Sequence, residues 1–347
     1  MSAHRKTFAV CIPAYNRSRY LGQLLDSILV QDFKDFEIVI CEDKSPERGH
    51  IASIVRDFDA QYPGFIRYYE NEINLGYDAN IRRLIEKSTA HYCFFMGNDD
   101  LMAEGALGHL DAIIKRHPGV GLVLRGYRIF EGNPDNAIHE LRYYSEEREF
   151  KPGKESIVLC YRRSGVISGY IVHRDDAHAC ATDKFDGTLY YQMHVTASVL
   201  SRRTSVCTPQ ILVLCRANEP PDFGNSENEK GIYTPGHYTI QARLNMVRGA
   251  LSILEQCEAA RKDGLLEAVK HDYANYFYPY VIDQLTLPIR EYRKLYRGYW
   301  KMGFGKYPLF HAYCVGCYIL GANRFDRITR AVRKRLGRNV QFSTVPK

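Results

Sequence analysis

The first hundred residues alternate between short apolar runs and longer segments whose apolar residues recur at helical spacing. The runs are Phe8–Pro13, Phe36–Cys41, Phe65–Tyr69 and Tyr92–Met96, and the helical patterns are Tyr20–Leu29, Ile51–Tyr62 and Tyr77–Lys87. Strands that are apolar on both faces and joined by helices form a parallel sheet covered on both sides. The sequence therefore predicts an α/β fold in which helices flank a mostly parallel sheet.

The pattern loosens after residue 100. The predicted elements there are a helix at Gly105–Lys115 and strands at Val120–Phe130, Val166–His173 and Val206–Cys215. Residues 217–238 are rich in Pro, Gly, Asn and Glu, which predicts a long loop. From 239 onward the pattern is mainly helical. We therefore divide the chain into a sheet domain at 1–215, a mobile loop at 216–238 and a helical region at 239–347.

Composition excludes several classes of protein. Hydrophobic residues make up 45% of the chain and charged residues 25%, which argues against a largely disordered chain. The ten cysteines are scattered and no signal peptide precedes them, which favours a reduced, cytoplasmic protein. Cys314 and Cys317 form a lone CxxC pair, and this spacing without a second pair argues against a zinc site. No stretch reaches the roughly 18 to 20 apolar residues of a membrane-spanning helix.

Positive charge is concentrated near the C-terminal end. Residues 290–347 contain 14 Lys and Arg but 2 Asp and Glu, whereas residues 1–289 contain 33 basic and 38 acidic residues. Such a tail suits an anionic partner. No recognised nucleic-acid-binding motif accompanies the charge, so we expect no nucleic-acid partner.

The basic tail also has an apolar stripe. Within 324–338, the stripe at helical spacing consists of Phe325, Ile328, Val332 and Leu336, and seven Arg and Lys residues surround it. A basic amphipathic helix of this kind binds flat on an anionic bilayer. With the apolar, aromatic segment 308–320 before it, the tail predicts contact of 308–338 with an anionic membrane surface. A helix packed on the sheet domain with a solvated basic face is the alternative.

Polar residues follow each of the first four predicted strands. The four segments are Pro13-Ala14-Tyr15-Asn16-Arg17, Glu42-Asp43-Lys44-Ser45, Asn74-Leu75-Gly76-Tyr77-Asp78-Ala79-Asn80 and Gly97-Asn98-Asp99-Asp100. Each alone is compatible with an ordinary turn, because Asn, Asp, Gly and Pro favour turns. Ligands of open α/β sheets bind beyond the carboxyl ends of the strands. The joint placement therefore predicts a ligand site at this edge of the sheet.

In this order, the motifs resemble those of family 2 glycosyltransferases of the GT-A fold. The resemblance is carried by FAVCIPAYNRSRYLGQLLDSILVQDFKDFEIVICEDKS, by NLGYDAN and by GNDD, and it covers roughly residues 8–215. It implies a Rossmann-like domain that binds a nucleotide sugar and catalyses transfer of the sugar, followed here by a mainly helical C-terminal extension.

The resemblance also implies which residues bind the donor. Asp43 would accept a hydrogen bond from the nucleotide base, while Pro13, Tyr15 and Asn16 would line the base and ribose pocket. The other donor-binding residues that it implies are Arg17, Asn74, Gly76, Asn80, Asn98 and Asp99.

The adjacent carboxylates Asp99 and Asp100 stand where the family has its acidic metal motif, which implies Mg²⁺ or Mn²⁺ as cofactor. The chemistry agrees, because carboxylates suit both ions and a cation neutralises a diphosphate leaving group. Two neighbouring carboxylates also repel each other unless a cation lies between them. An acidic first turn of a helix is the alternative. The sequence departs from the family at Asn98, where the common motif has Asp.

An inverting transfer needs a general base to take the proton of the acceptor hydroxyl. The family places this Asp or Glu well downstream of the metal motif, and residues 182–187 lie at about that position. Asp186 is the first candidate for the catalytic base, followed by Asp183 and His194. A surface turn is the alternative, because the Glu-Asp pair of the family is absent.

These features together predict an inverting glycosyltransferase that moves one sugar from a nucleotide sugar to a glycan hydroxyl. The loop at 216–238 would close over the donor, with Arg216 and His237 near the diphosphate. A lipid-diphosphate-linked saccharide as acceptor and a place on the inner face of the cell membrane agree with the basic tail. The run ISGYIVHRD is loosely similar to bacterial O-antigen enzymes of the abequosyl- or rhamnosyltransferase type.

Two other functions compete with this one. A non-catalytic glycan- or nucleotide-binding protein on the same fold is supported by Asn98 and by the missing Glu-Asp pair. A nucleotidyltransferase would carry a glycine-rich loop after the first strand, and PAYNRSRY lacks those glycines.

Overall fold

A computed structural model describes residues 5–335 and 341–343 of the chain. Its strands are β1 (Phe8–Ala14), β2 (Phe36–Glu42), β3 (Ile66–Glu70), β4 (Tyr92–Phe95), β5 (Leu101–Met102), β6 (Leu122–Phe130), β7 (Ala137–Arg142), β8 (Arg148–Phe150), β9 (Tyr170–His173), β10 (Ser205–Arg216) and β11 (Gln341–Ser343). Its helices are α1 (Ser18–Leu29), α2 (Arg48–Gln61), α3 (Tyr77–Lys87), α4 (Ala106–Arg116), α5 (Lys154–Tyr161), α6 (Arg174–Ala179), α7 (Tyr191–Leu200), α8 (Ile240–Arg261), α9 (Leu265–Asn275), α10 (Ile289–Lys301), α11 (Pro308–Leu320) and α12 (Ala322–Arg335).

One mixed sheet runs through the described part of the chain, with the order β11-β7-β6-β9-β4-β1-β2-β3 and with β10 beside β6. β1 pairs in parallel with β2 and β4, and β2 pairs in parallel with β3. β9 lies antiparallel between β4 and β6, whereas β10 runs parallel to β6. The parallel pairing of the first four strands and the predicted fold class are confirmed.

The central strands are apolar on both faces because helices cover both sides of the sheet. Alternate residues of a strand point to opposite faces. Val10 and Ile12 of β1 accordingly pack in one core with α1 and α4. Ala9 and Cys11 pack in the other core with α3, α7 and the C-terminal helices.

Three buried cysteines lie on neighbouring strands of this second core. Cys11, Cys41 and Cys93 belong to β1, β2 and β4, and each is free and fully buried. Burial disfavours the thiolate and raises the pKa of the Cys41 thiol to about 12. These thiols therefore act as small hydrophobic side chains.

The helices after residue 240 pack on the sheet rather than forming a separate core. Residues of α8, α9, α10 and α11 share one hydrophobic cluster with β1, β2 and β4. β11 pairs antiparallel with β7, so the chain returns to the edge of the sheet. The predicted tail helix is α12, which ends at Arg335, and the predicted residues 336–338 lie outside the described residues.

The sequence pattern missed α7, and the reason is physical. Nearly every residue of α7 is buried, including Gln192 and Thr196. A helix that is covered on all sides shows no 3.6-residue alternation of polar and apolar residues. The strand expected at 166–173 is also shorter, because only Tyr170–His173 pairs with its neighbours.

None of the helices within residues 5–335 has the length and the apolar content needed to cross a bilayer.

Candidate functional site

The carboxyl ends of β1, β2 and β4 lie side by side, as the parallel register requires. Ala14 pairs with Glu42 across β1 and β2, and Cys11 pairs with Phe95 across β1 and β4. The polar segments that follow these strands therefore meet at one edge of the sheet. The residues expected to form a site from the sequence are brought together there.

The turn between β1 and α1 has an unusual backbone. Asn16 and Arg17 have φ angles of 51° and 58°, a left-handed conformation that costs a residue other than glycine about 1 kcal/mol or more. Asn98 holds this turn, because its Nδ2 donates hydrogen bonds to the carbonyl oxygens of Tyr15 (3.3 Å) and Asn16 (2.9 Å). A carboxylate has no proton to donate, so this contact explains why Asn stands at position 98.

Asp43 orders the segment that follows β3. Its Oδ1 accepts hydrogen bonds from the Asn71 side chain (2.7 Å) and the Leu75 N–H (2.8 Å), and its Oδ2 accepts one from the Gly76 N–H (2.9 Å). Burial raises the pKa of Asp43 to about 6, against the lowering effect of these donors. Asp43 is 3% exposed, and its Oδ2 accepts one hydrogen bond from the chain whereas its Oδ1 accepts two.

Asn80, expected to bind the donor, is buried and supports this segment, and its contact with the donor stays a prediction. It is 3% exposed, and its Nδ2 donates to the carbonyl oxygen of Cys41 at 3.1 Å while its Oδ1 accepts from Asn71 at 3.2 Å. Among the other expected residues, Asn74 accepts from the Gly76 N–H at 3.0 Å. Pro13 is half-buried near the end of β1.

The two adjacent carboxylates have different partners. Oδ2 of Asp99 forms an ion pair with Nη1 of Arg17 at 2.6 Å. Asp100 accepts hydrogen bonds from the Ser168 hydroxyl and, at 2.7 Å, from the N–H of Arg216. Burial raises the pKa of both carboxyls, and the pKa of Asp100 reaches about 7 because the charge of Asp99 adds to burial.

This acidic pair fits a divalent cation in part. In the described residues, no group of three or more His, Cys, Asp or Glu side chains is placed to hold a metal ion. Mg²⁺ is commonly held beside nucleotides by one or two carboxylates, with phosphate oxygens and water completing its coordination. Within the described residues, Arg17 is the one cation that forms an ion pair with either carboxylate. Asp99, the less committed of the two, is the better ligand candidate.

Arg216 holds the acidic pair in place, a role that the sequence reasoning missed. Its guanidinium donates to the carbonyl oxygens of Asp99 (3.0 Å) and Gly132 (3.1 Å) and to the Gln23 side chain (3.0 Å). It also lies over the rings of Tyr20 and Phe130, 4.1 and 4.7 Å from their centroids. These contacts engage three of the five N–H donors of the guanidinium, and its approach to the diphosphate stays a prediction. Its position as the last residue of β10, before the long loop, was the available signal.

The loop of residues 217–238 lies across the site. Its Glu219 accepts hydrogen bonds from Arg19 (2.9 Å) and Tyr20 (2.5 Å), and its Asp222 pairs with Nε of Arg17 at 3.3 Å. Glu229, 4% exposed, accepts from the N–H of Tyr77 at 2.8 Å. The loop therefore contacts both the β1–α1 turn and the start of α3.

The far end of this loop carries His237, the residue expected near the diphosphate. His237 is exposed, and its approach to the diphosphate stays a prediction. Close packing occurs instead at Gly76, where a Cβ atom would lie 2.5 Å from Oγ of Ser226. Gly76 also has a φ of 84°, so both the backbone and the loop require glycine at this position.

The three candidates for the catalytic base gather around α3 and α7. Both carboxylate oxygens of Asp186 accept hydrogen bonds from Arg82, at 2.5 and 2.9 Å, and Asp183 is exposed. Nε2 of His194 lies 2.8 Å from the carbonyl oxygen of Cys180, and burial lowers the pKa of this imidazole. Within the described residues, none of the three forms a hydrogen bond or ion pair with the acidic pair. Their catalytic role stays a prediction.

Residues 9–172 match the family model described as Glycosyl transferase family 2. Abequosyltransferase RfbV from Salmonella typhimurium is 32% identical over 104 residues, which cover 30% of this chain and 31% of that protein. The chain thus spans about a third of the length of this curated relative.

Solved structures extend the likeness over nearly the whole chain at low identity. TarS residues 1–349 from S. aureus, in complex with UDP-GlcNAc, superpose with a TM-score of 0.61 and 16% identity, covering 98% of this chain and 94% of that chain. The mannosyltransferase PcManGT from Pyrobaculum calidifontis, in complex with GDP-Man and Mn²⁺, gives a TM-score of 0.50 and 14% identity. This match covers 91% of this chain and 87% of that chain. The fold is therefore that of GT-A glycosyltransferases, and residues 9–172 of this chain form a glycosyl transferase family 2 domain.

Proposed function

We propose that the chain is a glycosyltransferase that moves a single sugar from a nucleotide-sugar donor to a hydroxyl group of a glycan, with inversion at the anomeric carbon. The observation that carries the proposal is the convergence of Asp43, the Asn98-held turn and the Asp99-Asp100 pair at one sheet edge under the loop of residues 217–238. The family match and the nucleotide-sugar complexes of the structural neighbours support it.

The donor would lie along this edge with its base toward Asp43. An N–H of the base would donate to Oδ2, which accepts one hydrogen bond from the chain, and Tyr15 would line the base pocket. The diphosphate would then reach the Arg17 and Asp99 end of the site. Arg17 supplies positive charge there, although it must exchange Asp99 for a phosphate oxygen.

Mg²⁺ or Mn²⁺ is the cofactor that we propose for Asp99, with Asp100 holding Asp99 in position. A divalent ion at this place would neutralise charge on the diphosphate as it leaves. Asp100 already accepts from Ser168 and Arg216, which fixes the end of β4 before any ligand arrives. Closure of the loop would exclude water, which limits hydrolysis of the donor.

The acceptor side of the proposal is an expectation about residues near α3 and α7. A general base would have to remove the proton of the attacking hydroxyl, with Asp186 as first candidate and Asp183 and His194 as others. Because Arg82 holds Asp186, this pair would have to separate or turn before Asp186 took a proton. A lipid-diphosphate-linked saccharide is the acceptor class that we propose, on the inner face of the cell membrane, as in synthesis of bacterial surface polysaccharide.

The proposal is tested by thermal unfolding of the chain with a panel of nucleoside diphosphates and nucleotide sugars, each with and without Mn²⁺. A nucleotide at a hundredfold excess over its dissociation constant stabilises a protein by about 2.7 kcal/mol. We expect one nucleotide to raise the melting temperature in the presence of Mn²⁺, and Asp99→Asn to lose that rise. Asp59→Asn, an exposed change on α2, is the matched control.

Turnover separates the enzyme from a non-catalytic binding protein. The stabilising nucleotide sugar is incubated with the chain, and release of the nucleoside diphosphate is followed together with the anomeric form of the sugar by NMR. Release of the inverted anomer supports the proposal. Binding without any release, both alone and with polyprenyl-diphosphate-linked saccharides, would favour the non-catalytic alternative, and release of the retained anomer would refute inversion.

A further inference from the structure

One helix of the C-terminal region has an apolar face that the described residues leave uncovered. α11 contains no Asp, Glu, Lys or Arg. Its inner face, formed by Phe310, Cys314 and Cys317, is buried in the core. On its outer face Val315 and Ile319 are 47% and 72% exposed, and they follow one another at helical spacing. A helix that is apolar all round normally lies in an apolar environment on every side.

The neighbouring helix α10 has a strongly basic outer face. It packs antiparallel to α11, because Tyr292 bonds to the carbonyl oxygen of Cys314 and Tyr296 bonds to His311. The exposed cations of α10 are Arg290, Arg293, Lys294, Arg297 and Lys301, and its one acidic residue, Glu291, pairs with Lys294. The other four cations form no ion pair within the described part of the chain.

The basic face and the apolar face point the same way. α10 is buried through Leu295 and Tyr299, and α11 is buried through Phe310 and Cys314, in the same hydrophobic core. The two helices lie side by side, since Tyr296 and Trp300 of α10 contact His311 of α11, so the faces that they turn away from the shared core lie on the same side. Together they form a surface, here called the α10–α11 surface, with an apolar ridge on one helix and a row of cations on the other.

Trp300 lies on the edge of α10 that adjoins α11. Its ring is 53% exposed, and it meets His311 of α11 edge-on at a centroid distance of 5.4 Å. Tryptophan with one side packed and one side free is typical of side chains at a membrane interface. The next helix, α12, also has two half-exposed apolar side chains, Ile328 and Val332.

We propose that the α10–α11 surface binds an anionic lipid bilayer, with Trp300, Val315 and Ile319 inserted at the interface and the α10 cations on lipid headgroups. The proposal rests on the membrane contact proposed above and makes it more specific. It assigns the attraction to anionic headgroups to the cations of residues 290–301 rather than to those of the tail. Charge complementarity selects the occupant, because two copies of one basic row would repel each other across a symmetric dimer. Apolar burial and cation attraction add in such binding.

The chain contains a single tryptophan, so its fluorescence reports on this surface alone. The full chain is titrated with vesicles of phosphatidylcholine and with vesicles that also contain phosphatidylglycerol, without donor or acceptor. We expect a blue shift of the Trp300 emission and co-sedimentation with the anionic vesicles only, both weakened by salt. Each basic residue near an anionic surface contributes roughly fivefold in affinity, equivalent to about 1 kcal/mol. Arg290→Gln, Arg293→Gln and Arg297→Gln together should weaken binding more than tenfold.

The matched control removes three exposed cations elsewhere, by Arg56→Gln, Lys151→Gln and Arg202→Gln, and should bind as the parent chain does. Equal binding of both triple variants, or binding without a change in Trp300 emission, would overturn the proposal. A concentration-dependent blue shift in the absence of vesicles would assign the surface to a second copy of the chain instead. Because nucleotide binding is measured separately, failure here leaves the proposed transferase activity standing, and the reverse also holds.

Discussion

The side-chain amide of Asn98 donates a hydrogen bond to the carbonyl oxygen of Asn16 across 2.9 Å. Asn98 thereby links the end of β4, where the acidic pair begins, to the left-handed turn that opens α1. The departure from the family motif at this position has a structural reason, because aspartate could not make the contact.

Restoring the family residue should therefore harm the protein. Asn98→Asp removes both donated hydrogen bonds and sets a carboxylate against two carbonyl oxygens and beside Asp99. Leaving buried acceptors without donors typically costs about 1–3 kcal/mol, and we expect the free energy of unfolding in urea to fall by that amount. In Asn98→Ala, which loses the donors without adding charge, the free energy of unfolding should fall less. A variant as stable as the parent, with tighter Mn²⁺ binding, would contradict this account.

Arg17 forms an ion pair with Asp99 in the absence of ligand, so Arg17 should compete with a divalent cation for this carboxylate. Removal of the guanidinium by Arg17→Gln frees Oδ2 of Asp99, and we expect Mn²⁺ alone to bind about tenfold more tightly, as loss of a charge-assisted hydrogen bond predicts. Electron paramagnetic resonance of free Mn²⁺ measures this directly. Arg19→Gln, which loses the ion pair with Glu219 and the contact with the Tyr20 ring, should leave the affinity unchanged. Weaker Mn²⁺ binding by Arg17→Gln would show that Arg17 supports the cation rather than excluding it.

Gly169 should tolerate no side chain, because Arg125 lies against it. Gly169 has a φ of 77°, and a Cβ atom there would lie 2.3 Å from Nε of the buried Arg125. We expect Gly169→Ala to lower the free energy of unfolding by about 2 kcal/mol or more. Because Ser168 would shift with it, the hydroxyl that bonds Asp100 should also be displaced, weakening nucleotide-dependent stabilisation.

Gly231 provides the control for that variant, since it has the same φ of 77° but a Cβ atom at this position would meet nothing within 4 Å. Gly231→Ala isolates the backbone strain, so the difference between the two variants measures the clash with Arg125. Equal destabilisation of both would mean that packing against Arg125 has no effect.

Asp78 should make stability fall as the pH rises through the acid range. Its carboxylate accepts from the N–H groups of Leu189 and Tyr191, both at 2.8 Å, yet burial raises its pKa to about 7. Between about pH 4 and 7 the folded chain then holds a proton that the unfolded chain has lost. This group therefore favours folding at the low end of that window and loses the effect as the pH rises through the folded pKa.

The linkage is measured by urea unfolding at several pH values in that window. A difference of one bound proton between the folded and unfolded chains changes the free energy of unfolding by at most about 1.4 kcal/mol per pH unit. Asp78→Asn should be less stable overall, because the amide nitrogen cannot accept the second N–H, and its stability should fall less steeply with pH. Asp59→Asn serves as the exposed control. A parallel pH dependence for parent and Asp78→Asn would show that Asp78 is ionised in the folded chain.

The part of the fold that could be predicted is the part where each strand has its own local signal. β1, β2 and β4 are continuous apolar runs followed by polar turns, so both their existence and their shared edge follow from the sequence. The antiparallel insertion of β9 between β4 and β6 could not be predicted, because four residues with no alternation carry no information about their partners. β11 likewise pairs with a strand about two hundred residues earlier in the chain.

The site divides in the same way. Asp43 and Asp99 are recognisable because they end strands within familiar motifs. Arg216 and Glu229 act through contacts that span more than a hundred residues of sequence, and no spacing rule links them to the residues that they hold. Asn80 has the residue type expected of a donor ligand, and only the structure shows that it also bonds Asn71, which in turn bonds Asp43.

The buried thiols of Cys11, Cys41 and Cys93 can report on the local opening of the strands that carry them. An alkylating reagent attacks the thiolate, and all three side chains are fully covered while the strands are paired. Labelling of each thiol would therefore report the rate at which its own strand opens. Mass spectrometry of such labelled chains could rank the local stability of three adjacent strands in the unaltered protein, and would show whether nucleotide binding at their ends slows that opening.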